Sequence, residues 1–313
     1  MPPAFDPDHP ARKELPPVRS QETRTSIQEG RFRVDLSASR ATAPQQRTIL
    51  AHYERLAPLI AHNFPDVPLV FSYYPRGLGT EPAFSSNHDA LPHTVPHVAA
   101  TTSSGSHTYP GCAVNTILYY VHTGAVGVHS WTPAPSDPDA VGFARILLKP
   151  IAGGTQQQLR EALLALRAAL QAHELDAIPL YEGPDAALFI PFADAPLYEP
   201  VRTWLKTLIE PVITQHAQLL VPRAKPHEVR TAPRIEVTVS SNAPGQHSRL
   251  PYALTGEPDL PMVTPFEWSE LDTLPNGSVT ATNAADRIAA KGDLFATLAA
   301  QLAYQRFAEQ HAG

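Results

Sequence analysis

Fourteen of the 313 residues are histidine, the side chain whose charge changes nearest neutral pH. His88, His93 and His97 share one loop-rich stretch, the last two at a four-residue spacing that a pair of metal ligands can adopt. No HExxH signature or paired carboxylate accompanies them, and a polar surface loop is the simpler reading. His122 and His129 flank an expected helix–strand junction, where a lone histidine is ordinarily a hydrogen-bonded structural residue. Cys112 opens an apolar helix, and a helix N-terminus can lower a thiol pKa, although a buried structural thiol explains it as well. As the single cysteine, it excludes an internal disulfide framework and a multi-cysteine zinc site. The serines lack a GxSxG elbow, and neither GxxxxGK[ST] nor GxGxxG occurs. Gly153-Gly154-Thr155 ahead of a helix could receive a phosphate on free backbone N–H groups, but ordinary capping accounts for it.

The elements that must position these residues alternate in type. Pro44 suits a first helical turn, and Ile49, Leu50, Tyr53, Leu56 and Ile60 follow near helical spacing. LVFSYY (69–74) reads as a strand ended by Pro75-Arg76-Gly77, and residues 78–111 read as loop-rich. CAVNTILYYVHTG (112–124) predicts a buried helix and AVGVHSW (125–131) a strand. ARILLKP (144–150) is a short apolar strand closed by proline. Thr155 and Gln158 form a capping-box signature before the stripe Leu159, Leu163, Leu166 and Leu170. AALFIPF (186–192) and RIEVTV (234–239) read as strands, and a helix around Val201–Ile213 carries a kink or break at Pro211. The last helix runs from about Ala284 to Phe307 with an interruption near Gly292. Strands alternating with helices indicate an α/β or α+β domain.

Composition narrows the classes. The 34 prolines are about 11% of the chain, roughly twice the ordinary share, and six of them fall in the first 17 residues. Residues 1–30 therefore read as a disordered proline-rich arm, with the globular domain over 31–313. A hydrophobic fraction of 43% suffices for a substantial core. The 24 basic against 30 acidic residues give a net charge of −6, which argues against a protein whose main task is gripping phosphate backbones. No apolar run spans a membrane and no secretory signal opens the chain, so a cytoplasmic location is expected.

Several strings, taken in order, carry a resemblance: HYERLAPLIAHNF; YYPRG followed by AFSSN; HTYP (107–110); CAVNTILYYVHTGAVGVHSW; VSSNAPGQHSRLPYALTGEP; VTPFEWSEL; and DRIAAKGDLFATL (286–298). Over about residues 31–310 the chain resembles the polymerase domain of the bacterial end-joining ligase, of the ligase D type, in the archaeo-eukaryotic primase superfamily. That resemblance implies a primase-like α/β (α+β) fold, mixed sheets flanked by helices. It also implies two-metal nucleotidyl transfer, with carboxylates holding divalent ions that activate the primer hydroxyl and stabilise the leaving pyrophosphate.

The family's Asp-x-Asp pair ends a strand just before a proline; here ILLKP puts Leu147 and Lys149 in those places. By the same register Thr238 stands for the third carboxylate, with Glu236 two residues away on the same strand face. A serine-lysine-histidine stretch that binds the triphosphate maps onto LYEGPDAALF without any of the three, and the arginine expected after Pro251-Tyr252 falls near Thr255. Asp185 and Asp194 are the nearby acids in sequence. What the resemblance leaves is Phe84 for base stacking, His129 for nucleotide contact, and Arg40 and Arg47 for a 5′-phosphate. Arg76 and Arg234 are further basic residues at matching strands, and each of these residues has a plain alternative as core or surface.

The expectation is a catalytically degenerate relative that binds a DNA end or a DNA-repair protein, with no cofactor. An active polymerase with relocated ligands, using Mn²⁺ or Mg²⁺, and a protein-interaction module are the alternatives. Carboxylates converging on positions 147, 149 and 238 would favour the enzyme; Lys149 facing an acid such as Glu236 would favour the degenerate form.

Overall fold

A computed structural model of the protein describes residues 28–29, 32–33, 42–85, 93–102, 105–131, 133–134, 137–225, 228–239 and 242–307. The arm expected over residues 1–30 lies outside them except for Gln28 and Glu29, and Arg40 and His88 lie outside them too. In chain order the first elements are β1 (Gln28–Glu29), β2 (Phe32–Arg33), α1 (Ala43–Asn63), β3 (Val70–Tyr73), β4 (Ala83–Ser85), β5 (His97–Thr102) and β6 (Gly105–Pro110). The middle holds α2 (Val114–His122), β7 (Gly127–Ser130), β8 (Pro133–Ala134), β9 (Asp137–Val141), β10 (Phe143–Ile151), α3 (Gln156–Gln171), β11 (Ile178–Glu182) and β12 (Asp185–Pro191). The last part holds α4 (Tyr198–Gln215), β13 (Leu220–Pro222), β14 (Arg234–Thr238), β15 (Ser248–Arg249), β16 (Val263–Pro265), α5 (Ala284–Lys291) and α6 (Leu294–Gln301).

Two sheets build the frame. One has six strands in the order β13-β14-β10-β12-β11-β16, and the other four in the order β15-β7-β3-β4. Only β13 and β14 run parallel within the larger sheet. Alternation along β10 sends Ala144, Ile146 and Leu148 into a core with the α3 stripe Leu159, Leu163, Leu166 and Leu170 and with Val201, Leu205 and Leu208 of α4. The opposite face, through Ile178, Leu180, Ala187 and Phe189, joins a second core with α1, α2 and the four-stranded sheet, including Tyr53, Phe71, Tyr120 and Val128. Arg145, Leu147 and Lys149 alternate with the buried set and so share that second face.

Caps explain why the helices start where they do. Thr155 accepts from the Gln158 N–H at 3.2 Å while Gln158 Oε1 accepts from the Thr155 N–H at 2.9 Å, the expected box. The same pairing of Thr42 and Gln45 opens α1. Two of the N–H groups that Gly153-Gly154-Thr155 offered to a phosphate are thereby taken, that of Thr155 by Gln158 and that of Gly154 by the Ile151 carbonyl at 2.9 Å.

Several expectations need correction. The stretch read as loop-rich over 78–111 contains β4 and the β5–β6 hairpin, which buries few of its side chains and so shows little apolar alternation. Pro150 does not close its strand: β10 continues to Ile151 because Pro150 pairs only with Ile235, past the last β12 pair at Leu148 and Ala186, where a missing N–H breaks no second ladder. The α4 helix runs through Pro211 to Gln215, and the last helices divide at Gly292 (φ 66°) but end at Gln301. Cys112 precedes α2 by two residues and is buried, and burial pushes its thiol above the ordinary range, which removes the nucleophile reading. Among the described residues no helix is long and apolar enough to cross a membrane.

Candidate functional site

The three positions singled out by resemblance meet in the sheet. Leu147 is the Cα partner of Thr238 on β14 and of Ala187 on β12. Lys149 is the partner of Glu236, and one step beyond the last β10–β12 pair stands Asp185, itself paired with Glu182 on β11. Paired residues of antiparallel strands project to one face. One row thus carries Thr238, Leu147 and Ala187, and the next carries Glu236, Lys149, Asp185 and Glu182.

Arg145 lies deeper on the same face. Its guanidinium forms an ion pair with Glu182, both side chains only 2% exposed, and its carbon centre sits 5.4 Å from the Phe189 ring centroid. Asn242 clamps the backbone there: its Oδ1 accepts from the Arg145 N–H at 2.6 Å, and its Nδ2 donates to the carbonyls of Arg145 and Val239. Neither Arg145 nor Glu182 was anticipated from sequence. The two-residue alternation from Leu147 was the available signal for Arg145.

The facing wall comes from the smaller sheet. His129 on β7 is buried and lies 3.0 Å through Nε2 from the Ser72 hydroxyl on β3. Phe84 on β4 is half-buried, with His129 at 5.2 Å edge-on and His247 at 4.4 Å between ring centroids. Burial first, then the charges of His247, Arg249 and Arg145, hold the His129 imidazole well below its ordinary pKa. Burial and Arg249 bring His247 down to about 4. Both rings are therefore neutral at physiological pH and offer a phosphate no charge.

Arg249, on β15 of the same smaller sheet, lies within electrostatic reach of Glu182 on the larger one. Burial works to lower its pKa, but Tyr74, Glu182 and Glu257 outweigh it and the guanidinium stays charged. Asp185 is the perturbed acid. Burial pushes its pKa up to about 7, helped by Glu182 and Glu257 and opposed by Lys149 and Arg249. The arginine expected near Thr255 is absent there, and Arg249 supplies a guanidinium to the cleft instead.

The loop bearing Thr255 and Glu257 is fixed by close packing. Gly79 N–H donates to the Gly256 carbonyl at 2.7 Å, and Gln45 Nε2 donates to the Pro258 carbonyl at 3.3 Å. A Cβ on Gly256 would lie 1.7 Å from Tyr74 Cζ, so the buried Tyr74 ring or the loop backbone would have to shift. Gly256→Ala is thus expected to lower stability by about 1–3 kcal/mol. A reduced urea midpoint at unchanged slope would report it; an unshifted midpoint would mean that Tyr74 yields freely.

The remaining basic candidates lie outside the polar centre. Arg47 is exposed in the α1 turn that Gln45 anchors to the loop, and Arg76 is exposed with a 3.5 Å pair to Glu81. Arg234 opens β14, paired with Ile151, on the same face as Glu236 and Thr238. Arg40 and His88 belong to the residues not described, and His93 and His97 are exposed.

The donors at 147, 149 and 238 do not fit a divalent ion, being an alkyl chain, an ammonium and a neutral hydroxyl. Glu182 is taken by Arg145, and among the described residues no group of three histidine, cysteine or acidic side chains is placed to hold a metal.

Comparison with known proteins follows the same lines. The sequence profile described as LigD, primase-polymerase domain, matches residues 45–295. The multifunctional non-homologous end joining protein LigD of Mycolicibacterium smegmatis is 23% identical over 268 residues, covering 82% of this chain and 34% of its own length. The chain thus spans about a third of that relative. The polymerase domain of Mycobacterium tuberculosis ligase D, solved in complex with DNA, superposes with a TM-score of 0.73 at 21% identity, over 87% of this chain and 99% of that one. At that identity the likeness is one of fold.

Proposed function

Because the chain belongs to the LigD primase-polymerase domain family, we propose that it serves DNA end joining as a non-catalytic member that binds or scaffolds. One observation carries the reading. Leu147 faces Thr238, and Lys149 faces Glu236, in the strand register where metal-binding carboxylates belong by resemblance. An alkyl chain cannot ligate and an ammonium repels a divalent ion, so the cleft has no means of activating a primer hydroxyl or a leaving pyrophosphate.

Retention of DNA contact is the second part of the proposal. Half-buried Phe84 against two neutral histidines offers a stacking surface, and exposed Arg47 and Arg76 offer phosphate contacts near the loop at Gly256–Pro258. The acidic balance of −6 makes this contact weak, so it is sought at low salt.

Two measurements test the proposal. Primer extension on a templated duplex with Mn²⁺ and nucleoside triphosphates is expected to yield no product; template-dependent product would overturn it. Fluorescence anisotropy with a 5′-phosphorylated gapped duplex is expected to show binding at low salt. Phe84→Ala should weaken that binding by about 1–3 kcal/mol. Absence of binding even at low salt would remove the DNA contact and leave protein interaction as the function.

A further inference from the structure

The row that contains Lys149 crosses four strands in the order Glu236, Lys149, Asp185, Glu182. Three of its four members are acids. Arg145, four residues along β10 from Lys149 on the same face, closes the far end through its ion pair with Glu182. Glu236 at the near end accepts a hydrogen bond from the Ala224 N–H at 3.0 Å, which fixes its carboxylate on the strand beside Lys149. Between these two anchored ends, Lys149 is the basic member of the row, exposed on a long flexible stem that can serve either neighbour. Like charges directly opposite one another in a sheet are destabilising and unlike charges stabilise, so the sign at position 149 decides whether this row holds together.

A carboxylate at 149 would complete a line of four acids, an arrangement held together only by added cations. The lysine instead puts one positive charge into that line, within electrostatic reach of Asp185. We infer that Lys149 is a tethered cation that takes the place of a divalent metal in this cleft, neutralising Asp185 and Glu236 from within the chain and keeping metal ions out. This rests on the non-catalytic reading above and extends it: the charge order of the site is rebuilt around an internal cation rather than simply lost. Fold retention follows, because the strands meet complementary charges without a metal.

The test uses the full chain and Mn²⁺ alone, with bound ion read from loss of the free-ion paramagnetic resonance signal. Wild type is expected to leave the signal unchanged up to about 1 mM. Lys149→Met is expected to bind one Mn²⁺ with a Kd of about 10⁻⁴–10⁻³ M, the range of weak carboxylate sites. Adding Asp185→Asn should abolish that gain. Lys149→Gln serves as a second neutral replacement should the methionine variant lose its native circular dichroism. Wild type binding Mn²⁺ as tightly as the variant would overturn the inference, and so would neutral variants that bind none. Primer extension keeps the two claims apart: extension by wild type sinks the proposed function, whereas neutral variants without Mn²⁺ binding, in a chain that extends nothing, sink this inference alone.

Discussion

Arg145→Met is expected to lower stability by about 3–5 kcal/mol, the cost of leaving one partner of a buried ion pair without the other. Arg145 and Glu182 are each 2% exposed, and no water layer can solvate a lone Glu182 carboxylate there. The guanidinium also covers the Phe189 ring, so its packing is lost with its charge. A urea titration measures the effect. The informative comparison is the double variant Arg145→Met/Glu182→Leu, which removes both charges and should recover much of the loss. A single variant as stable as wild type would mean that Glu182 finds another cation, Arg249 being the one within electrostatic reach.

Asp185→Asn should act in the opposite direction, and only above acid pH. The Asp185 carboxyl has its pKa raised from 3.8 to about 7 in the folded chain, chiefly by burial. A group whose folded pKa lies above its unfolded value contributes stability that is complete below the unfolded value and disappears as pH rises through the folded one. Wild type therefore loses this contribution between about pH 4 and pH 7, whereas asparagine has no proton to lose. At about 1.4 kcal/mol per pH unit, the displacement sets a ceiling of about 4 kcal/mol on the variant's advantage at pH 8. Half-burial of the side chain brings the expected value below that ceiling. Urea midpoints of both proteins at pH 4, 6 and 8 give the measurement, and a difference that stays flat with pH would refute it. His52 and His247, held neutral with pKa values near 4, impose the opposite trend below pH 6.5, but equally in both proteins.

Much of the frame was legible from local pattern. The stripe Leu159, Leu163, Leu166 and Leu170 with its Thr155–Gln158 box is α3, and α1, α2, β7 and β14 fall where spacing puts them. The pairing of Leu147 with Thr238 comes from the sheet and was not read from the sequence. The β5–β6 hairpin was not legible, because strands that bury little carry no apolar alternation. Strand β11 was missed for another reason: IPLYE is buried on both faces and short, so it shows no period of its own.

By itself the sequence determined the family's order of elements and the types of residue at 147, 149 and 238, since strand and helix signals are written within a few neighbours and side-chain chemistry needs no fold. Only the tertiary structure decided which charges meet. Glu182, Arg145 and Arg249 come from three separate strands, and Lys149 gains its meaning from Glu236 and Asp185 on either side. Coulomb energy depends on separation and on exclusion of water, and both are set by sheet register and packing rather than by position along the chain.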